Sequence, residues 1–270
     1  MRSHVMEVLD ARDLERELHG ELKGTIRLYP RALPRYMLRI LRKRFTSVEQ
    51  VLGEIDAYAL VVAYLGSEHV AVSTEFIVEY TGTGAAEIVL CGMQEYVNGA
   101  LFDPWGLVET KPLESFYRSR FPGEQAVSVF VPGGLESVAS FVHRTREMVT
   151  EAGCIPDLAG NGNLLMTHSG NLKLVDINNI LQVGEDEAIP LDSKGYPSCD
   201  KSIEVLWILE NRVLKTANAT RDPLYRHFLS AERVEKVRRI EKTFFENISC
   251  GNDAYPPKEG AHYPVERSNN

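Results

Sequence analysis

The sequence predicts an α+β chain in two lobes, a small strand-rich N-terminal part and a helical C-terminal part. Three observations carry this. Runs rich in Val, Ile and Phe, bounded by Gly and Pro, crowd residues 1–94 around a single amphipathic helix. From Glu95 to Gly106 the composition shifts to Tyr96, Val97, Asn98, Gly99, Pro104 and Gly106, which suits a hinge. Beyond it apolar residues recur mainly at helical spacing. A length of 270 residues, 44% hydrophobic and 25% charged, fits one large globular domain or two packed lobes.

Residues 7–19 carry Val8, Leu9, Leu14 and Leu18 at near-helical spacing and predict a short helix ending near Gly20. Strands follow over Thr25–Tyr29 and Tyr36–Leu41, because Pro30 and Pro34 forbid a continuous helix there. A helix then starts at Thr46 or Ser47, with Val48, Val51, Leu52, Ile55, Ala59 and Val62 as its apolar stripe and Gly66 as its stop. Residues 70–80 and 87–93 flank the Thr-Gly-Thr-Gly turn at 81–84 and form an antiparallel hairpin. The N-lobe, 1–94, is thus expected to hold a five-stranded type of sheet and one helix, with a hinge at 95–99. In the C-lobe, 100–248, helices are expected over 135–152, 200–215 and 230–247. Residues 249–270, with Pro256, Pro257, Gly260 and Pro264, read as a disordered tail.

Bulk properties narrow the function. A net charge of -8 disfavours general nucleic-acid binding, which needs clustered Lys and Arg. Cys91, Cys154, Cys199 and Cys250 are widely spaced and form no zinc pattern, so a reduced compartment is expected. No run reaches the roughly 18 apolar residues of a membrane span, and no apolar signal segment opens the chain. A cytoplasmic protein without a membrane partner is expected, with Met6 as an alternative to Met1 as its start.

Chemistry concentrates between Cys154 and Asn179. Asp157-Leu158 opens a loop rich in Gly and Asn, the strand Leu164–Met166 follows, residues 168–171 turn, and the strand Leu172–Val175 delivers Asp176. Such a hairpin holds Asn163, at its entrance, near Asp176, at its exit. Phosphoryl transfer needs this kind of set: one carboxylate to orient a hydroxyl, and a second carboxylate with an amide oxygen to hold magnesium. Asp157, Asp176 and Asn163 fit those roles. Each residue type is also common in turns for backbone reasons alone.

This order resembles the protein-kinase-like superfamily, whose C-lobe carries H-R-D-L-x-x-x-N, a strand and D-F-G. The resemblance implies a two-lobed protein-kinase-like fold, Asp157 as base, and Asn163 and Asp176 as metal ligands. Ile88 to Gly99 is similar to the family's fifth strand and hinge, with Gln94 at the gatekeeper position and the backbones of Glu95 and Val97 toward adenine. The helix from Ser47 to Gly66 resembles αC, with Glu54 as its inward acid. Tyr36–Leu41 places Arg39 where the family's phosphate-binding Lys stands, and Lys43 is a second candidate. Asn163 follows Asp157 by six residues rather than five, so either the loop has an extra residue or Asn161 shares the metal role. Ile155-Pro156 replaces His-Arg, Ile177-Asn178 replaces Phe-Gly, and Gly20 and Gly24 are all that stands for the Gly-rich loop.

The resemblance implies an ATP- and magnesium-dependent phosphotransferase acting on a small-molecule or protein hydroxyl. The alternative is a pseudokinase that binds nucleotide or a partner protein without turnover, which Arg39 and the missing Gly-rich loop favour. A further alternative is nucleic-acid binding through the strip 27–44, where Arg27, Arg31, Arg35, Arg39, Arg42, Lys43 and Arg44 occur without an acid; the competing expectation is a solvated charged face pairing with the acidic C-lobe. Glu54 on an apolar helix needs a partner, and Arg39 is the expected one. His143, His168 and His227 are expected to be structural, and Tyr225, Phe228, Phe244 and Phe245 to pack in the core or between lobes.

Overall fold

The structure, a computed structural model, describes residues 3–82, 87–107, 109–121, 124–184, 186–217 and 219–250. In chain order its elements are β1 (Ser3–Val8), α1 (Ala11–His19), β2 (Glu21–Lys23), β3 (Ile26–Leu28), β4 (Tyr36–Leu41), α2 (Val48–His69), β5 (Ser73–Tyr80) and β6 (Glu87–Glu95). There follow β7 (Gly99–Leu101), α3 (Pro112–Arg120), α4 (Glu124–Ala152), β8 (Cys154–Pro156), β9 (Leu164–Thr167), β10 (Leu172–Leu174) and β11 (Ile180–Gln182), then α5 (Ser198–Ile208), α6 (Pro223–Phe228) and α7 (Ala231–Cys250). The fold is α+β and two-lobed, with strands before the hinge and helices dominating after it. Residues 251–270, most of the expected tail, and 83–86, part of the expected hairpin turn, lie outside the described residues.

The N-lobe sheet runs β1-β4-β6-β5, all antiparallel, with Arg39 opposite Gly92 and Gly92 opposite Glu75. It has four strands rather than the expected five, because β3 pairs only with β2 in a separate hairpin. The expected helix over 7–19 is shorter: Ser3–Val8 joins the sheet edge, and Asp10 caps α1 by accepting from Arg12 N at 2.9 Å. Gly66 does break α2, adopting φ +74°, but one further turn follows it.

α2 serves two cores. Val51 packs with Leu41, Phe45 and Leu90 in a small N-lobe cluster. Val61 and Leu65 belong to the large C-lobe core with Phe102, Phe141, Leu164, Met166, Leu172 and Leu174. The buried stripe is therefore Val51, Val61 and Leu65, while Val48 and Leu52, expected on it, are 44% and 47% exposed. α4 also starts earlier than 135, because Phe130 stacks on Tyr117 of α3 and this packing overrides the helix-breaking Pro132-Gly133-Gly134. Val138, Phe141, Val142 and Thr145 face the core as their spacing predicts. No helix among the described residues is long and apolar enough to cross a membrane.

Candidate functional site

Two short antiparallel pairings frame the 154–182 segment. β8 pairs with β11, Cys154 opposite Gln182 and Pro156 opposite Ile180, closing a loop around everything between them. Inside it β9 and β10 form the hairpin, Leu164 opposite Leu174, anchored by the buried Leu164, Met166, Leu172 and Leu174. β7, just past the hinge, adds a third strand to β9. Alternate residues of both strands are buried, which seats the hairpin on the C-lobe core by one face.

At those ends a hydrogen-bonded frame links the expected site residues. Asn163 is 6% exposed and its Nδ2 donates to Asp157 O at 2.8 Å. Val175 N donates to Asn163 O at 2.8 Å, placing Asp176 one residue from Asn163's backbone. Gly160 is needed beside Asn163, since a Cβ there would overlap its amide. Asp157 is clasped twice by Asn179, whose O accepts from Asp157 N and whose Nδ2 donates to Asp157 Oδ2, each at 2.9 Å. Ala159 N donates to Asp157 Oδ1 at 3.1 Å. Burial raises the Asp157 pKa, opposed by the Asn179 and Ala159 bonds, and the Asp176 carboxylate adds to the rise.

Asp176 itself is exposed, and its Oδ1 has only a 3.4 Å contact from Asn178 N. Asn161 is exposed on the same loop. This donor set fits a hard cation: Asn163 turns its amide N–H inward and leaves Oδ1 as an oxygen, and Asp176 is accessible. Asn179, which holds Asp157, also lines a cleft of about 720 Å³ with Arg42, Lys43, Glu54, Asn178 and Asp192. A smaller chamber of about 230 Å³ adjoins it and shares Leu41, Glu54, Asn178, Asn179 and Ile180.

The N-lobe candidates are placed differently. Arg39 is 3% exposed; its Nη2 donates to Glu75 Oε1 at 2.6 Å and Ser73 Oγ at 3.2 Å, and its Nη1 to Asn178 Oδ1 at 2.7 Å. The expected Arg39–Glu54 pair is therefore corrected: Glu75 takes Arg39, and Glu54 pairs with Lys43 at the surface. The register explains it, because Arg39 and Glu75 flank Gly92 on neighbouring strands, and a Cβ at Gly92 would stand 2.6 Å from Glu75 Oε1. Gln94 is buried and its Nε2 donates to Ala71 O at 3.0 Å and Val175 O at 2.9 Å. Glu95 N donates to Val72 O at 2.8 Å and its carboxylate pairs with Lys173, so this N–H is not free to face adenine. Val97 is buried in the connection between β6 and β7.

No protein-family model matches the chain, and no curated protein matches it. Solved structures do. One is the ROP18 kinase domain in complex with AMP-PNP and sucrose, 9% identical, covering 79% of this chain and 75% of that one at a TM-score of 0.34. Another is the Toxoplasma gondii specific rhoptry antigen kinase domain, 10% identical, covering 82% of this chain and 76% of that one at a TM-score of 0.36. Likeness of this degree is too distant to carry site residues or activity to this chain.

Sequence reasoning missed Asn179, Asn178, Glu75 and Ser73. Asn178 and Asn179 stood in plain view beside Asp176, but only the β8–β11 pairing turns them back onto Asp157 and Arg39. The basic strip is mostly consumed internally: Arg27 donates to His19 O, and Arg35, Arg39, Lys43 and Arg44 pair with Asp10, Glu75, Glu54 and Glu87. These acids all lie within the N-lobe, which corrects the expected pairing of the strip with the acidic C-lobe: the sheet register and α2 bring the partners in locally. Tyr225 and Phe228 are buried as expected, whereas Phe245 is 55% exposed in an edge cluster with Tyr196 and Phe244.

Proposed function

We propose that the chain is a phosphotransferase of the protein-kinase-like superfamily that uses ATP and magnesium to phosphorylate a hydroxyl on a small molecule or a protein. The observation that carries the reading is the frame gathering Asp157, Asn163 and Asp176 at the ends of one hairpin. Asp157 would orient the acceptor hydroxyl and take its proton; the upward shift of its pKa makes it a stronger base. Asn163 Oδ1 and the Asp176 carboxylate would hold magnesium, with Asn161 within the same loop. Magnesium, when bound, supplies neutralisation of the phosphate charge. Lys43, which lines the cleft with Arg42, Asn178 and Asn179 and pairs there with Glu54, is the second candidate for phosphate contact, since Arg39 is committed to Glu75, Ser73 and Asn178. The Val97 backbone and the Glu95 carbonyl would meet adenine, with the Glu95 N–H engaged by Val72 O, and Gln94 borders that position.

A second reading, nucleotide or partner binding without turnover, is favoured by one observation: both terminal nitrogens of Arg39 are taken by protein groups. The two readings separate in a paired test. Thermal-shift titration with ATP, with and without magnesium, reports binding, and transfer of labelled phosphate to candidate acceptors reports turnover. Magnesium-dependent binding with transfer that Asp176→Ala abolishes is the expected result. Undiminished transfer in Asp176→Ala would sink the assignment of Asp176 as a metal ligand, and binding without transfer in the wild type would select the second reading.

A further inference from the structure

The chain around Asp176 is gripped from the N-lobe almost residue by residue. Leu172 O meets His69 Nδ1 at 3.0 Å, Lys173 pairs with Glu95, and Leu174 O accepts from Ala71 N at 2.9 Å. Val175 O accepts from Gln94 Nε2 at 2.9 Å and Asn178 Oδ1 accepts from Arg39 Nη1 at 2.7 Å. Asp176 lies in the gap between the last two contacts, and its carboxylate is left exposed.

The two side chains bracketing the gap come from the positions at which the resemblance expects nucleotide contact. Neither is available for it. Gln94 is 4% exposed and its amide N–H groups go to Ala71 O and Val175 O. Arg39 is held by Glu75, Ser73 and Asn178, and its Nε is buried without a partner. A buried donor set already aimed at two carbonyls, a carboxylate and an amide oxygen gains nothing by turning to solvent, where all of those acceptors would be left unpaired. Fixing the backbone before Asp176 and the side chain after it restricts where the carboxylate can point, and groups that orient a metal ligand govern metal affinity as the ligand does.

We infer that Gln94 and Arg39 are positioning residues for Asp176, gripping the chain on either side of it without contacting nucleotide. The inference rests on the phosphotransferase reading, in which Asp176 holds magnesium. Gln94→Met keeps the volume and removes the donors, and Asn178→Ala releases Arg39 from the segment while leaving its pair with Glu75 intact.

Both variants are made in the full chain and compared with wild type in two measurements: amide hydrogen exchange over 174–178 without ligand, and calorimetric titration with ATP in the presence and absence of magnesium. Expected are faster exchange over 174–178, a fall of about 10- to 100-fold in the affinity for ATP with magnesium, and little change without it. Wild-type exchange and wild-type magnesium dependence in the variants overturn the inference while leaving the phosphotransferase reading standing. Equal losses with and without magnesium overturn it in favour of direct nucleotide contact. A wild-type chain whose ATP binding ignores magnesium overturns the phosphotransferase reading and the inference with it, and the wild-type titration alone identifies that case. Should Gln94→Met fail to fold, Asn178→Ala decides by the same criteria.

Discussion

Each lobe holds a buried ion pair, Arg39–Glu75 in the N-lobe and Arg233–Asp200 in the C-lobe, and the lobes differ in how much apolar packing surrounds it. The C-lobe closes around a large apolar cluster in which Val138, Phe141, Leu164, Met166, Leu172 and Leu174 are almost wholly buried. The N-lobe cluster has four buried members, Leu41, Phe45, Val51 and Leu90, and beside it sits a buried ion pair whose side chains are 4% and 5% exposed. Apolar packing tolerates local repacking, whereas a buried pair is directional and fails when either partner is lost. The hairpin carrying Asn163 and Asp176 belongs to the larger apolar cluster, and the N-lobe grips its far end through Gln94 and Arg39.

The sharpest way to break this contrast is Glu75→Ala, which leaves Arg39 charged and buried and should cost about 3–5 kcal/mol. Replacing both partners together, Arg39→Met with Glu75→Leu, should recover most of that loss or exceed wild type, since well-packed apolar pairs substitute for buried ion pairs at little cost or with gain. Urea denaturation of the three variants gives the comparison. Equal destabilisation of single and double variants would show that the N-lobe depends on the pair for something other than charge compensation. On the other side of the contrast, Leu174→Ala in the C-lobe core should cost about 2–5 kcal/mol.

This division also explains what could be read from the sequence. The hairpin was legible because the apolar run Leu164-Leu165-Met166 and the alternating Leu172-Lys173-Leu174 flank the turn residues His168-Ser169-Gly170-Asn171. The end of α4 was legible from Gly153, which adopts φ +61°. The partner of Arg39 was not, because Glu75 is 36 residues away and reaches it only through the register of β4 and β5 on β6. β1 and β11 were hidden for the same reason: a six-residue and a three-residue strand owe their existence to their partners more than to local propensity. Asn179's grip on Asp157 follows from that pairing of β11 with β8 and from nothing within the 176–180 stretch itself.

A smaller effect should appear at the seam between the lobes. His69, at the end of α2, is 3% exposed and links Leu172 O to Ser140 Oγ. Burial lowers its pKa from the ordinary 6.5. The unfolded chain therefore takes up the proton first as pH falls, so the stability tied to neutral His69 is complete above the unfolded value near 6.5 and is lost as pH drops through it toward the lowered folded value. Thermal denaturation from pH 8 to pH 5 should show this acid-side loss in wild type and a flatter profile in His69→Gln. A parallel profile in the variant would place the pH dependence elsewhere.

The smallest effect is also the most diagnostic for the N-lobe. Were Glu54 the inward acid paired with Arg39, as the resemblance implies, Glu54→Ala would strand a buried guanidinium and match Glu75→Ala in cost. Its partner is instead Lys43, whose side chain is 60% exposed against 31% for Glu54. An exposed pair of this kind is worth about 0.2–1 kcal/mol and is screened by salt. Glu54→Ala should therefore lower stability by no more than about 1 kcal/mol, with the difference shrinking as sodium chloride is raised, while Glu75→Ala stays severe at every salt concentration. A large, salt-insensitive loss in Glu54→Ala would return Glu54 to the interior and dissolve the distinction between the surface pair on α2 and the buried pair across β4, β6 and β5.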